Sequence, residues 1–138
     1  MTKKGGPEDV YRSIGVKPII TASGTQTAYG GSKLRPEAME AMQKAAGIMV
    51  ELDELNQAAG KIIANLTGAE AGFVSSGAAG GMVLQAAACI AGADPIIMAQ
   101  LPNTQILKNE IIIHRSHRFL YDQCYQAAGA NLVDIGDG

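Results

Sequence analysis

The sequence predicts an α/β fold, on three observations. Short apolar runs alternate with helical patterns along the second half of the chain. Glycine or proline marks most of the junctions between them. The run Glu110-Ile111-Ile112-Ile113-His114 is of the continuous β-branched kind found in buried parallel sheets. Strand, helix, strand, helix, strand over residues 71–135 then makes a βαβαβ unit with right-handed crossovers.

The chain in order supports this expectation. Residues 1–16 begin polar and end in a short helical turn, and Pro18-Ile19-Ile20-Thr21 is a brief β-like run. Residues 22–32 form a long loop of hydroxyl residues and glycines with one tyrosine. The loop reads equally as a surface linker and as a ligand-facing segment. Pro36 opens a helix that Gly47 stops, with Met39, Met42 and Ala46 on one packing face. A second helix spans residues 51–67, with Leu52, Leu55, Ala59, Ile62, Ile63 and Leu66 at helical spacing and Gly68 as its stop. Glu51, Asp53 and Glu54 suit its positive N-terminus, and no histidine lies near them to suggest a metal.

Residues 71–74 read as a strand that feeds a helix through Ser75-Ser76-Gly77. That helix, to Gly92, is apolar nearly all round and is expected to be buried. An apolar piece at 95–98 and a polar loop at 100–109 lead to the 110–114 strand. A helix over 116–128 with Gly129 as its stop and a strand over 131–135 complete the pattern.

The 138 residues suffice for one domain, and 47% hydrophobic with 17% charged residues indicates a globular chain. Aromatic residues make up only 4%, so the core is expected to be built from Ala, Ile, Leu, Val and Met. A net charge of −2 gives no electrostatic case for nucleic acid or an anionic membrane. Cys89 and Cys124 match no metal or redox spacing and are read as buried, reduced thiols. The polar start has no following apolar run, so the cytoplasm is the expected location and the sequon at Asn65 is a chance match.

Two segments carry candidate chemistry at the expected C-terminal ends of strands, where open parallel sheets bind ligands. The first is 75–79, where small residues would let an anion approach backbone N–H groups at a helix N-terminus, with Ser76 in the N-cap position. It reads equally as an ordinary turn between strand and helix. The second is His114-Arg115-Ser116-His117-Arg118, which contains both histidines of the chain. An imidazole there would stack on a flat ring, and a guanidinium would pair with phosphate or carboxylate. The sequence has no Walker A pattern, no Gly-x-Gly-x-x-Gly after a strand, no nucleophile elbow and no metal-ligand set.

Taken together, several stretches resemble fold type I pyridoxal-phosphate enzymes. These are Leu66-Thr67-Gly68-Ala69-Glu70-Ala71, Ser75-Ser76-Gly77-Ala78-Ala79, Ile20-Thr21-Ala22-Ser23-Gly24-Thr25, Val50-Glu51-Leu52-Asp53-Glu54-Leu55 and Ala128-Gly129-Ala130. Within that fold the chain is most similar to the selenocysteine synthase family (L-seryl-tRNA(Sec) selenium transferase) and its relatives among D-glucosaminate-6-phosphate ammonia-lyases. The resemblance implies part of a three-layer αβα large domain over 36–138, with 1–35 as an arm and active-site loop. It implies pyridoxal 5'-phosphate as cofactor, held by Ser76, Gly77, Ala78 and Ala79, with His117 near the ring. It implies Ser23, Thr25, Arg115 and Arg118 toward an amino-acid-like substrate, and a homo-oligomer of two or more copies.

The family's Schiff-base lysine comes later than the segments matched, and Lys33, Lys44, Lys61 and Lys108 do not occupy its place. The expectation is therefore the N-terminal part of a lyase or transferase, inactive alone. The tRNA-binding domain of selenocysteine synthases is also lacking, which favours the ammonia-lyase-like branch. The alternative is a small non-catalytic α/β module that binds a phosphorylated ligand or a partner chain.

Overall fold

The computed structural model describes residues 6–137. The chain packs as two compact units, Met1–Met49 and Val50–Gly138.

In the first unit, helix α1 (Pro7–Arg12) has a proline in its first turn, and the Asp9 carboxylate accepts from the Gly6 N–H at 2.6 Å. An exposed Arg12–Glu8 pair lies one turn apart at 2.8 Å. The hydroxyl-rich loop folds into a tight turn, Thr27–Tyr29, closed by an antiparallel bridge between Gln26 and Gly31. Helix α2 (Pro36–Ala45) matches its expected span. Residues 18–21 form no strand: Ile20 is wholly exposed, and among the described residues of the unit no neighbouring strand takes up the segment's backbone groups.

The second unit opens with helix α3 (Leu52–Thr67), with Asp53 and Glu54 in its first turn and Gly68 at φ 73° as a left-handed cap. The chain then reverses and runs back along α3. Residues 71–75 are extended but are not a strand, which corrects the expected first β element. A side chain takes the place of a sheet neighbour there. The Asn56 carboxamide donates to the Val74 carbonyl at 3.0 Å and accepts from the Val74 N–H at 3.0 Å.

Helix α4 (Ala78–Ala91) follows, ending at Gly92. Helix α5 (Pro95–Gln100) occupies the piece expected to be merely apolar. Its start was readable, because Asp94 accepts from the N–H groups of Ile96 and Ile97 and Pro95 fills the first helical position.

Strands β1 (Glu110–His114) and β2 (Asn131–Ile135) pair in parallel, Glu110 opposite Asn131 and His114 opposite Ile135. They are the two strands of the sheet among the described residues, so the expected βαβαβ unit is present as its second half. In β1, half-buried Ile111 and Ile113 alternate with exposed neighbours, so one face of the strand is open.

The helix expected over 116–128 is broken into two tight turns, Arg115–His117 and Leu120–Asp122, and a short helix α6 (Gln123–Ala127). The break has a local cause. The His114 ring accepts from the Ser116 N–H, and Arg118 and Phe119 stay extended while the Arg118 guanidinium reaches Asp122 and Asp134.

The core is made of small residues where α4 meets α6: Ala86, Ala91, Cys124, Ala128 and Ala130 are buried. Helix α4 is not buried all round, since Leu84 is half exposed. Cys89, expected inside, is exposed on the same helix, while Cys124 is buried and both are free thiols. Buried Thr104 donates to the Gly129 carbonyl at 2.6 Å, and Asn109 donates to both groups. This network ties the approach to β1 to the approach to β2. Among the described residues no helix is long and apolar enough to cross a membrane.

Candidate functional site

The turn into α4 is built from residues with little or no side chain. Its N-cap is Gly77 rather than the expected Ser76, because φ 134° at this position is open only to glycine. The Ser75 hydroxyl donates to the Gly77 carbonyl at 2.9 Å and braces the turn from below. Ser76 folds over the first helical turn, its Oγ 2.4 Å from where a Cβ on Gly80 would stand. Glycine at 80 is what lets that hydroxyl lie there.

Helix α4 begins with no side-chain cap and no acidic residue in its first turn. The first N–H free to bond within the helix is that of Gly81, which donates to the Gly77 carbonyl at 2.9 Å. The preceding amides have no intrahelical acceptor and sit at the positive end of the helix. Ser76, Gly77, Ala78 and Ala79 are all exposed, and the space beside Gly77 is open. Four of the candidate residues thus share one turn, and that turn can hold an anion with backbone donors alone.

The second candidate cluster lies at the C-terminal end of β1. The rings of His114 and His117 are 5.6 Å apart and tilted by 50°. His114 Nδ1 and Ser116 Oγ are 2.8 Å apart, so this ring is occupied locally. It also lies against Gly136, where an added Cβ would come within 2.2 Å of Nε2. His117 and Arg115 are exposed, and among the described residues neither makes a side-chain hydrogen bond or ion pair.

Arg118 is committed differently. Its Nε donates to Asp122 and its Nη1 to Asp134. Its hydrogen bond to Asp122, then that to Asp134, pushes the guanidinium above its ordinary pKa. Asp122 is buried, and among the described residues its Oδ1 has no partner.

Ser23 and Thr25 belong to the first unit, where Ser23 Oγ lies 2.8 Å from the Thr21 hydroxyl. Three residues that shape the second unit's sites escaped sequence reasoning: Asn56, Asp122 and Asp134. Asp122 was signalled by its i, i+4 spacing from Arg118, and Asn56 by being a polar residue among the apolar positions of its helix.

No family model matches the chain. It is 32% identical over 132 residues to the D-glucosaminate-6-phosphate ammonia lyase of Salmonella typhimurium, covering 93% of this chain and 36% of that protein. It is 34% identical over 131 residues to the 5'-C-glycyluridine monooxygenase-decarboxylase of a Streptomyces species, covering 91% of this chain and 33% of the relative. The chain thus spans about a third of the length of the curated relatives it matches. Among solved structures, that of D-glucosaminate-6-phosphate ammonia-lyase superposes with a TM-score of 0.87 at 31% identity, over 93% of this chain and 36% of that one. The chain therefore has the α/β fold of the matched third of that lyase, the fold type I class that its sequence predicts.

Proposed function

We propose that this chain forms the phosphate-holding part of a pyridoxal-phosphate-dependent lyase or transferase of the selenocysteine synthase-like kind, acting on an amino-acid-like substrate. The observation that carries the reading is the uncapped, acid-free start of α4 behind Gly77, in a chain similar to an ammonia lyase. The cofactor, when bound, supplies an electron sink for bonds at the substrate's amine-bearing carbon.

The chain's own part is positional. The amides of Gly77, Ala78 and Ala79 and the Ser76 hydroxyl hold the phosphate, and helix and amides balance its charge without a lysine or arginine. His117 stands beside the ring. Arg115, with its guanidinium free, pairs with an anionic group of the substrate. Arg118 holds the strand-end turn in shape and offers its remaining nitrogen to the same side, while Ser23 and Thr25 are assigned to substrate by the family resemblance alone. The relatives' names support the substrate class: glucosaminate is an amino acid, and a glycyluridine carries a glycine unit. One name describes an elimination and the other an oxidative decarboxylation, so the two share the class of substrate and not the outcome. Large exposed apolar side chains in both units, Ile20, Met49 and Ile106 among them, suit an assembly of two or more copies.

The test is a titration of the labelled chain with pyridoxamine 5'-phosphate, followed by amide NMR. This probe carries the phosphate but cannot form an imine with surface lysines. Saturable shifts centred on residues 76–79, and absent with pyridoxamine lacking the phosphate, are the expected result. Equal shifts with both compounds, or none at 76–79, would overturn the assignment.

A further inference from the structure

The segment that delivers residues 76–79 has no strand neighbour among the described residues, yet it is held at two levels by one face of α3. Asn56 makes both backbone bonds to Val74, donor to acceptor and acceptor to donor. That is the exchange a residue makes with its opposite number in a β ladder. One helical turn further on, Gly60 meets Gly72 backbone to backbone. A Cβ on Gly60 would lie 2.2 Å from the Gly72 carbonyl oxygen, and one on Gly72 would lie 2.7 Å from the Gly60 carbonyl oxygen. Positions 56 and 60 share a helix face, and 72 and 74 share the same side of an extended segment. The alternate residues Phe73 and Ser75 line a cavity of about 640 Å³ on the α4 side, with Gly81, Leu84 and Gln85.

From this we infer that Asn56 is a positioning residue for the phosphate turn. It holds one backbone edge of the segment at Val74, while the Gly60–Gly72 contact fixes the register in which it acts. Val74 is fixed by two bonds, and only Ser75 and Ser76 separate it from the Gly77 cap. A slip at Val74 therefore moves the amides of 77–79 off a common focus. This rests on the reading of 76–79 as a phosphate site.

The test uses Asn56→Ala, Asn56→Asp and, as a control for stability alone, Thr104→Val. The control removes a buried hydrogen-bond network elsewhere in the same unit. Wild-type binding of pyridoxamine 5'-phosphate is measured first, and its failure would remove the phosphate reading itself. Hydrogen exchange at Val74 then reports on the clamp whether or not the probe binds.

Asn56→Ala is expected to abolish protection of the Val74 N–H and to weaken the probe about tenfold, the scale of one net hydrogen bond. Asn56→Asp keeps the acceptor for that N–H but sets a carboxylate against the Val74 carbonyl. Protection is then expected to persist in part while binding still falls. Thr104→Val should lower Tm comparably and leave the dissociation constant unchanged. The inference fails if Thr104→Val weakens the probe as much as Asn56→Ala does. It fails equally if Asn56→Ala leaves both Val74 exchange and probe binding at wild-type values.

Discussion

Gly60→Ala is expected to destabilise the protein by about 1–3 kcal/mol, the usual cost of overpacking. The sign is the informative part. Inside an ordinary helix the same change is favourable by up to about 1 kcal/mol, because alanine restricts the unfolded chain and has the better helix propensity. Gly60 is buried in the middle of α3, and the atom its new methyl would meet is the Gly72 carbonyl oxygen, part of the backbone rather than the end of a flexible side chain. Either the extended segment or the helix must move. Gly81→Ala is the contrast, since its Cβ would stand 3.3 Å from the Ser75 hydroxyl, which can rotate. Chemical denaturation of the two variants side by side decides the matter. A Gly60→Ala protein as stable as wild type would mean that α3 and the 71–75 segment do not touch as described.

Arg118→Gln is expected to lower Tm by about 5 °C or more at neutral pH. The wild-type guanidinium is pushed above its ordinary pKa by the Asp122 and Asp134 carboxylates. A raised basic group contributes its full stabilisation below its unfolded pKa and loses it only as pH rises through the still higher folded value. Arg118 itself therefore stays charged throughout the working range. What the substitution changes is Asp122, a buried carboxylate whose Oδ1 already has no partner. Its Oδ2 would lose the cation that faces it among the described residues. A buried charge that loses its partner is left with nothing to compensate its lost hydration, which is strongly destabilising. Lys44→Gln removes an exposed pair with Glu40 and should cost little at any pH. Thermal melts of the two variants give the answer, and a loss as small as that of Lys44→Gln would show that Arg118 is not supporting Asp122.

Much of this architecture could be read from residue spacing. Helices α2 and α3 stand where proline, glycine and apolar periodicity put them, and β1 and β2 follow their β-branched and apolar runs. Pattern failed where side chains overrode it. The apolar run at 71–74 has the composition of a strand, but its hydrogen bonds go to the Asn56 carboxamide, a contact between residues 18 apart that periodicity does not encode. The stretch after β1 has helical composition, but the claims of Asp122 and Asp134 on Arg118 hold 118–119 extended. At the candidate site, Ser76 through Ala79 were legible as one small-residue turn. The exchange of the cap from Ser76 to Gly77 was not, because it depends on a positive φ that composition alone does not reveal.

The clamp on Val74 has a consequence for chain entropy. Joining Val74 to Asn56 closes a loop of 18 residues, whereas β1, the nearer strand among the described residues, begins roughly twice as far along the chain. Each doubling of a closed loop costs about 0.6 kcal/mol more. The clamp on Val74 is thus a short-range closure, at a lower entropic cost than pairing with β1 would carry.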